Sequence, residues 1–384
     1  TVLLGVTGGI AAYKMPNVAR MLKKMHCNVH VLMTQNATNF ITATTFETLT
    51  GNKCLIDTFD RNFEFSVEHV ALAKQADLVL LAPATANVIG KIANGIADDM
   101  LTTTVMACTC KVLVAPAMNH NMYHNSIVQE NLEKLKRHGY EMIDPVCGML
   151  ANGDTGDGKL PSEETLVEYV LRELAFEKDM QGLKVLVTAG PTQEAIDPVR
   201  FISNHSTGKM GYAIAKNAML RGAEVTLVTG RTALEPPMFV KTVPVTSAKD
   251  MYQAVMECAK EQDIIVKAAA VADYTPAHTA DEKIKKSEGE LSLALEKTTD
   301  ILAELGKNKG NTVLCGFSME TEHMLENSRA KRKKKNLDMI AANNLKQQGA
   351  GFAGDTNVLT LITEDWEKEL GKMKDLFNSE QLEA

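Results

Sequence analysis

Several features are scarce in this chain of 384 residues, and each scarcity excludes something. There is one Trp, and aromatic residues make up 5% of the total. No apolar run approaches the ~20 residues that a helix needs to cross a bilayer, and no signal peptide is expected before the first apolar run. The chain begins at Thr1 and not at Met, so a few residues are expected to precede it. Its seven cysteines (Cys27, Cys54, Cys108, Cys110, Cys147, Cys258, Cys315) are odd in number and never spaced CxxC. That argues against a zinc or disulfide framework and suits a reducing, cytoplasmic setting. GxGxxG is missing, which disfavours NAD, and so is GxxxxGK[ST], so any nucleotide is held without a P-loop. Excess positive charge is missing too. Lys and Arg number 41 against 48 Asp and Glu, a net charge of -7 that argues against a general nucleic-acid or membrane partner.

What is present is apolar material for two ordinary cores, 45% of the chain. The twenty Met read as adaptable core filler. The most informative stretch is Leu183–Lys216, LKVLVTAGPTQEAIDPVRFISNHSTGKMGYAIAK. A short apolar run breaks into Ala189-Gly190-Pro191, passes through a polar loop and resumes at Gly208 with helical spacing. That predicts a strand, a long turn and a helix, the opening of a βαβ unit where phosphates bind at a helix N-terminus. Val2–Lys14, VLLGVTGGIAAYK, has the same plan. One such opening in each half predicts two nucleotide-handling α/β domains in tandem.

In the first half, Ala11, Ala12, Met15, Val18, Ala19 and Leu22 keep helical spacing, with Pro16 predicted to kink the helix. Cys27–Thr34 reads as the second strand. Thr34 closes it where a hydroxyl could meet a phosphate or could equally cap a helix. Ala76–Leu81 reads as a buried parallel strand, followed by a small, hydroxylated loop, Ala82–Asn87, suited to a flat ligand. Lys111–Ala115 gives another strand, ending in Pro116-Ala117-Met118-Asn119. A lone His such as His69 is more often a structural hydrogen-bonder than a catalyst, and Asn119 after a strand is most often a turn residue. Four glycines within Cys147–Lys159 predict a mobile loop, a lid or a linker. Ser162–Phe176 reads as a helix capped by Ser162, and Glu177–Gln181 as the interdomain link.

In the second half, Gly211–Arg221 and Met251–Lys260 read as helices, and Glu224–Thr229 and Asp263–Ala272 as strands. Asp273 ends the latter where it could meet a ribose hydroxyl or a metal, or simply cap a turn. Leu337–Ala341 and Asn357–Thr363 complete the strands. Two dense basic runs stand out, Glu282–Lys286 and Lys331–Lys335. They can be solvated helix faces, a nucleic-acid patch or a triphosphate site; the surrounding acids and missing aromatics weigh against nucleic acid.

GVTGGIAAYK, the His69 segment with APATAN, PAMN and the glycine-rich loop resemble, in this order, the flavin-dependent cysteine decarboxylases. VTAGPTQEAIDPVRFISNHSTGKMG, AAAVADY, EKIKK, GFSMET and KRKKKNLD resemble the ligase half of the bifunctional phosphopantothenoylcysteine decarboxylase / phosphopantothenate–cysteine ligases of coenzyme A biosynthesis. The resemblance spans nearly the whole chain. It implies two doubly wound, Rossmann-like α/β domains: a flavodoxin-like FMN domain over 1–178 and a CTP-dependent ligase domain over 182–384. His69 then matches the catalytic histidine and Asn119 the asparagine that holds the substrate carboxylate. Gly8, Gly9, Ile10, Thr34, Thr85, Ala86, Asn87 and Ala117 fall on FMN-binding positions. In the ligase half, Asn204 matches the asparagine that handles the acyl-cytidylate, and Lys283 the transition-state cation. Ala268, Ala269, Asp273, Asp300, Ile301, Leu302, Phe317, Lys331 and Lys335 match nucleotide contacts. Thr299 stands where the usual KNPDI reads KTTDI. Substrates implied are 4'-phosphopantothenate, cysteine and CTP, with Mg2+ whose ligands stay unassigned. The implied assembly is a homo-oligomer, with flavin sites between subunits of a trimer and a dimeric ligase half.

The implied chemistry is consistent with these residues. A cysteinyl amide carboxylate has no electron sink, but flavin oxidation of CH2–SH to a thioaldehyde supplies one. The enethiolate left after CO2 loss must then be reprotonated and reduced. The family loop ACGD supplies that proton from its Cys; here the loop reads Ala151-Asn152-Gly153-Asp154. An amide cannot deliver a proton as a thiol can. Either Asn152 is an engineered change, or the natural activity stops at the oxidised intermediate; Cys147 lies five residues upstream. One rival reading is an FMN- or nucleotide-binding regulatory protein that lost the decarboxylase chemistry. Another is a short-chain NAD oxidoreductase, whose Tyr-x-x-x-Lys pair occurs as Tyr212 and Lys216, too early in its domain to face a nicotinamide.

Overall fold

The computed structural model describes residues 1–58, 68–149, 155–285, 291–320, 323–344 and 356–374. The chain forms two compact units, Thr1–Ala175 and Phe176–Gln381. Among the described residues no helix is long and apolar enough to cross a membrane.

In the first unit five parallel strands, β1 (Val2–Val6), β2 (Val29–Met33), β3 (Leu78–Ala84), β4 (Lys111–Pro116) and β5 (Glu141–Met142), lie in the order β2-β1-β3-β4-β5. Every residue of β1 and β3 is buried, as expected of strands covered on both faces. Alternate residues feed opposite layers. Val2, Leu4 and Val6 pack with α1 (Met15–Lys24), α2 (Ala43–Thr50) and α8 (Glu163–Leu174). Leu3, Val79 and Leu81 pack with α3 (Glu68–Gln75), α4 (Ala86–Ala93), α5 (Met100–Ala107) and α7 (Ser126–Arg137). The short α6 (His120–Tyr123) follows β4, and β6 (Val146–Met149) pairs antiparallel with β7 (Thr155–Lys159).

Three local expectations are corrected here. Pro16 does not kink a helix: a 3-10 turn over Ile10–Lys14 ends first, and Pro16 stands in the opening turn of α1, where its missing N–H costs nothing. The loop expected over Ala82–Asn87 is shorter, because β3 continues through Ala84 and α4 starts at Ala86. The described parts of the glycine-rich segment are a hairpin, with Gly148 opposite Gly156.

The second unit has an eight-stranded sheet, β12-β11-β8-β13-β16-β17-β18-β19. Its strands are β8 (Lys184–Ala189), β11 (Glu224–Thr229), β12 (Lys241–Pro244), β13 (Ile264–Lys267), β16 (Val313–Glu320), β17 (Met339–Asn344), β18 (Thr356–Ile362) and β19 (Glu367–Lys374). The first six are parallel; β18 and β19 add an antiparallel edge. Two hairpins flank the sheet, β9 (Gln193–Ala195) with β10 (Phe201–Ser203), and β14 (Tyr274–Pro276) with β15 (Leu295–Lys297). The helices are α9 (Lys209–Leu220), α10 (Ala248–Cys258), α11 (Ile301–Lys307) and α12 (Met324–Lys334).

Here α10 starts three residues before the predicted Met251, because Ser247 and Asp250 cap it reciprocally. The strand predicted over Asp263–Ala272 stops at Lys267. Beyond it, Ala268 N–H donates to Thr188 O and Ala270 N–H to Gly190 O, so the chain follows the turn after β8 instead of continuing the ladder.

Candidate functional site

Both sheets reverse their winding beside their first strand. In the first unit β2 lies on one side of β1 and β3 on the other; in the second, β11 and β13 flank β8 in the same way. A doubly wound sheet opens a crevice at the carboxyl ends of its strands at such a point. Each unit has a cavity built from the segments that follow those strands.

The first cavity is about 910 Å³ and is lined by all eight residues assigned to the flavin: Gly8, Gly9, Ile10, Thr34, Thr85, Ala86, Asn87 and Ala117. They come from the segments after β1, β2, β3 and β4. Buried Thr7 ties the first of these to the third: its hydroxyl donates to Pro83 O at 2.6 Å and accepts from Thr85 N–H at 3.0 Å. Gly8 is needed for close approach, since a Cβ there would sit 2.5 Å from Asn36 Cβ. Thr34 fills both roles left open for it, lining the cavity while its hydroxyl accepts from Ala37 N–H at 3.3 Å. Thr85 precedes α4 but makes no side-chain cap bond. Its hydroxyl and the first N–H groups of α4 are therefore free to meet an anion.

Asn119 also lines this cavity, and its side chain accepts from Asn121 N–H at 2.9 Å, so it is a turn residue as well. The hairpin β6–β7 packs on this segment through its glycines. Met118 N–H donates to Gly158 O at 3.0 Å, and a Cβ on Gly158 (φ 116°) would lie 2.3 Å from Met118 O. A Cβ on Gly156 would meet the His120 ring at 2.8 Å. His69 stands in the first turn of α3, half-buried, and is not part of the cavity wall. Asn152 lies outside the described residues.

A cavity of this size holds a cofactor-sized ligand. Small residues at the wall, hydroxyls at two strand ends and an uncapped helix start fit a flat ring system carrying a phosphate, so the residues present fit FMN.

The second cavity, about 380 Å³, is lined by Ala268, Ala269, Asp273, Thr299, Asp300, Ile301, Leu302, Phe317, Lys331 and Lys335. Sequence reasoning named all ten. Ser206–Gly211 also lines the wall; sequence reasoning assigned it no nucleotide contact by residue, although it read Gly208 as the start of a phosphate-binding helix. Gly208 (φ 82°) brings this segment against Gly190, and a Cβ on Gly211 would lie 2.5 Å from Ala189 Cβ and 2.9 Å from Thr188 O. Thr188 repeats the role of Thr7, accepting from Ala269 N–H at 3.1 Å.

Lys267 was missed as well. It lines the cavity at the end of β13, and its signal was legible as a lone Lys closing an otherwise apolar strand, IIVK. Lys335 pairs with Asp300 at 2.7 Å, and Lys331 donates to Phe317 O at 3.0 Å. Asp300 is held below its usual range by the Lys335 hydrogen bond and the Ala303 N–H it caps, which together outweigh its burial.

Asn204 and Lys283 are not part of this wall. Asn204 is exposed and donates to Ala270 O at 3.0 Å, on the segment that forms the wall. Lys283 is exposed, on an irregular segment pinned by buried Asp197. The Asp197 carboxylate accepts from Val199 and Arg200 N–H, both at 2.8 Å, from the Arg200 guanidinium, and from Ile284 N–H at 3.1 Å. The Arg200 hydrogen bond, reinforced by these backbone donors, drives its carboxyl far below the ordinary range.

Sequence profiles of two families divide the chain as the two units do. The flavoprotein family matches residues 1–175, and the DNA/pantothenate metabolism flavoprotein C-terminal domain matches residues 180–382. The coenzyme A biosynthesis bifunctional protein CoaBC of Bacillus subtilis is 46% identical over 370 residues, covering 96% of this chain and 91% of that protein. The protein of the same name from Escherichia coli is 43% identical, covering 96% and 92%. A crystal structure of the C-terminal domain of a CoaBC protein is 43% identical over 51% of this chain and 89% of that one, with a TM-score of 0.44. With two domain matches end to end and relatives this similar over nearly its full length, the chain belongs to the family of bifunctional phosphopantothenoylcysteine decarboxylase / phosphopantothenate–cysteine ligases of coenzyme A biosynthesis.

Proposed function

We propose that the second cavity activates 4'-phosphopantothenate with CTP and joins it to cysteine, and that the first cavity decarboxylates the product. The observation that carries this reading is the gathering of the eight flavin positions around one switch-point cavity and the ten nucleotide positions around the other.

In the ligase unit the pantothenate carboxylate attacks the α-phosphorus of CTP and pyrophosphate leaves. The cysteine amine then attacks the acyl carbon and CMP leaves. Charge grows on the α-phosphate oxygens in the first step, and Lys331, Lys335, Lys283 and Mg2+ are suited to neutralise it. The exposure of Lys283 outside the cavity wall fits its delivery from a second copy in a ligase dimer. Asn204, tied to Ala270 O, is suited to orient the acyl-cytidylate.

In the decarboxylase unit FMN, when bound, supplies the oxidation that turns the cysteinyl CH2–SH into an electron sink and the hydride that reverses it. Asn119 holds the substrate carboxylate at the rim formed with the β6–β7 hairpin. His69 is assigned to proton transfer, and its place outside its own unit's cavity fits its arrival from a neighbouring copy in a trimer. Asn152 has no ionisable proton to deliver in the last step. Cytosolic residence and oligomer size are parts of the same proposal.

Pyrophosphate release from CTP in the presence of phosphopantothenate, cysteine and Mg2+ tests the ligase assignment. Continuous release is expected only with all components present, and without cysteine no more than the one pyrophosphate per site that acyl-cytidylate formation liberates. Equal release without phosphopantothenate, or tighter binding of duplex DNA than of CTP at physiological salt, refutes it.

A further inference from the structure

Among the cations of the ligase cavity, Lys267 has no role in the reading above. It is anchored by the sheet, not by a mobile stem: β13 pairs Lys267 with Thr188 of β8 on one side and with Gly316 of β16 on the other. Its backbone is therefore fixed at the strand end that opens into the crevice, and the side chain forms part of the cavity wall. Its two cationic neighbours are already engaged, Lys335 with Asp300 and Lys331 with Phe317 O. Among the described residues no hydrogen bond or ion pair is made by the Lys267 ammonium. A partly buried ammonium without a partner, beside two other ammonium groups, is an unfavourable arrangement unless an anion joins it.

We propose that Lys267 is a further nucleotide-binding residue of this cavity, meeting the anionic part of CTP directly from its fixed place at the end of β13. This rests on the assignment of the cavity to CTP. The charged groups facing Lys267 are Lys331 from α12 and Lys335 from its C-terminal cap, Asp300 from the N-terminal cap of α11 and Asp273 from the segment after β13. Burial first, then Lys335 and Lys331, bring its ammonium down to about 8, and the two carboxylates only partly offset them. A bound phosphate reverses that balance. Above about pH 8 the free enzyme carries mostly neutral amine at this position, and binding takes up to one proton from solvent. Affinity for CTP is thus expected to be flat below about pH 8 and to fall above it, at up to about tenfold per pH unit. The nucleotide does not contribute there, because a phosphate monoester loses its second proton at about pH 6.

Calorimetric titration of the full chain with magnesium CTP, in buffers of different ionisation heat, reads the proton directly. At pH 9 the unaltered chain is expected to take up a fraction of a proton approaching one. Lys267→Met is expected to bind CTP about tenfold to a hundredfold more weakly at pH 7.5 and to show no proton uptake. Lys267→Arg keeps its charge past pH 12; it is expected to retain affinity, lose the uptake and bind with no fall between pH 8 and 9.5. A role confined to folding would weaken both variants alike. Proton uptake that persists in Lys267→Met, or affinity unchanged within about twofold, overturns the proposal while leaving the CTP assignment intact. If the unaltered chain binds no CTP at any pH, the CTP assignment fails and this inference falls with it.

Discussion

The two units solve the same problem with the same device and reach different chemistry. Each places a buried threonine, Thr7 or Thr188, at the end of its first strand, and each threonine captures an N–H from the segment after a neighbouring strand. Each then opens a cavity at the switch point. The walls differ. Around the larger cavity stand Lys14, Lys91 and Lys159, with Lys91 already paired to Asp98 and Asp99. Around the smaller one stand Lys209, Lys267, Lys331 and Lys335, at a volume less than half as great, 380 against 910 Å³. Topology decides where a ligand goes; the residues of the wall decide which one. A roomy wall of glycine, alanine and threonine suits a flat cofactor, and a tight ring of ammonium groups suits a polyphosphate.

If the units are separable in this way, changes in one should leave the other's chemistry alone. The largest effect is expected from Asn152→Cys. Restoring an ionisable proton should raise phosphopantetheine release by about a hundredfold or more and leave pyrophosphate release unchanged, as product analysis of both steps would show. Next, Lys283→Gln should slow pyrophosphate release by about a hundredfold, whereas Lys334→Gln, exposed at the end of α12, should change it less than about twofold. Equal effects would mean that neither lysine meets the reacting phosphate.

Smaller effects concern stability. Gly211→Ala forces a Cβ against Ala189 and Thr188 O. It should destabilise the second unit by about 1–3 kcal/mol, with flavin absorbance and the first unit's melting unaffected. Asp197 offers a subtler contrast. Its folded carboxyl is depressed by Arg200 and backbone donors. The stability it contributes is therefore fully present above the unfolded value near 3.9 and is lost as pH falls below it. Acid unfolding followed by circular dichroism should become shallower below pH 4 in Asp197→Asn, while the first unit's transition keeps its midpoint.

Much of this was legible before any coordinates. The apolar run of β3 read as a buried parallel strand and those of β1, β8 and β11 as strands, and the small residues after β1 and β3 marked the crevice. What escaped prediction depends on contacts distant in sequence. The early end of β13 follows from hydrogen bonds between 268–270 and 188–190, which no local pattern encodes. The edge strand β19, EKELGKMK, is mostly charged and has no β-branched run to signal a strand, and it exists because β18 pairs with it. Pro16 was misread because spacing alone cannot separate a 3-10 turn from the start of an α-helix. Lys267 was passed over for the opposite reason. A charge at the end of an apolar strand was visible, but only the fold brings Lys331 and Lys335 beside it.

Two cavities running two consecutive reactions on one chain can be followed together under anaerobic conditions. Flavin-loaded protein is mixed with phosphopantothenate, cysteine, CTP and Mg2+, and flavin absorbance and pyrophosphate are followed together. Pyrophosphate release is expected to continue while the flavin bleaches once and does not recover, because the second cavity turns over while the first stalls at the proton that Asn152 cannot give. Full flavin recovery with phosphopantetheine matching pyrophosphate, or bleaching without any pyrophosphate, would contradict it.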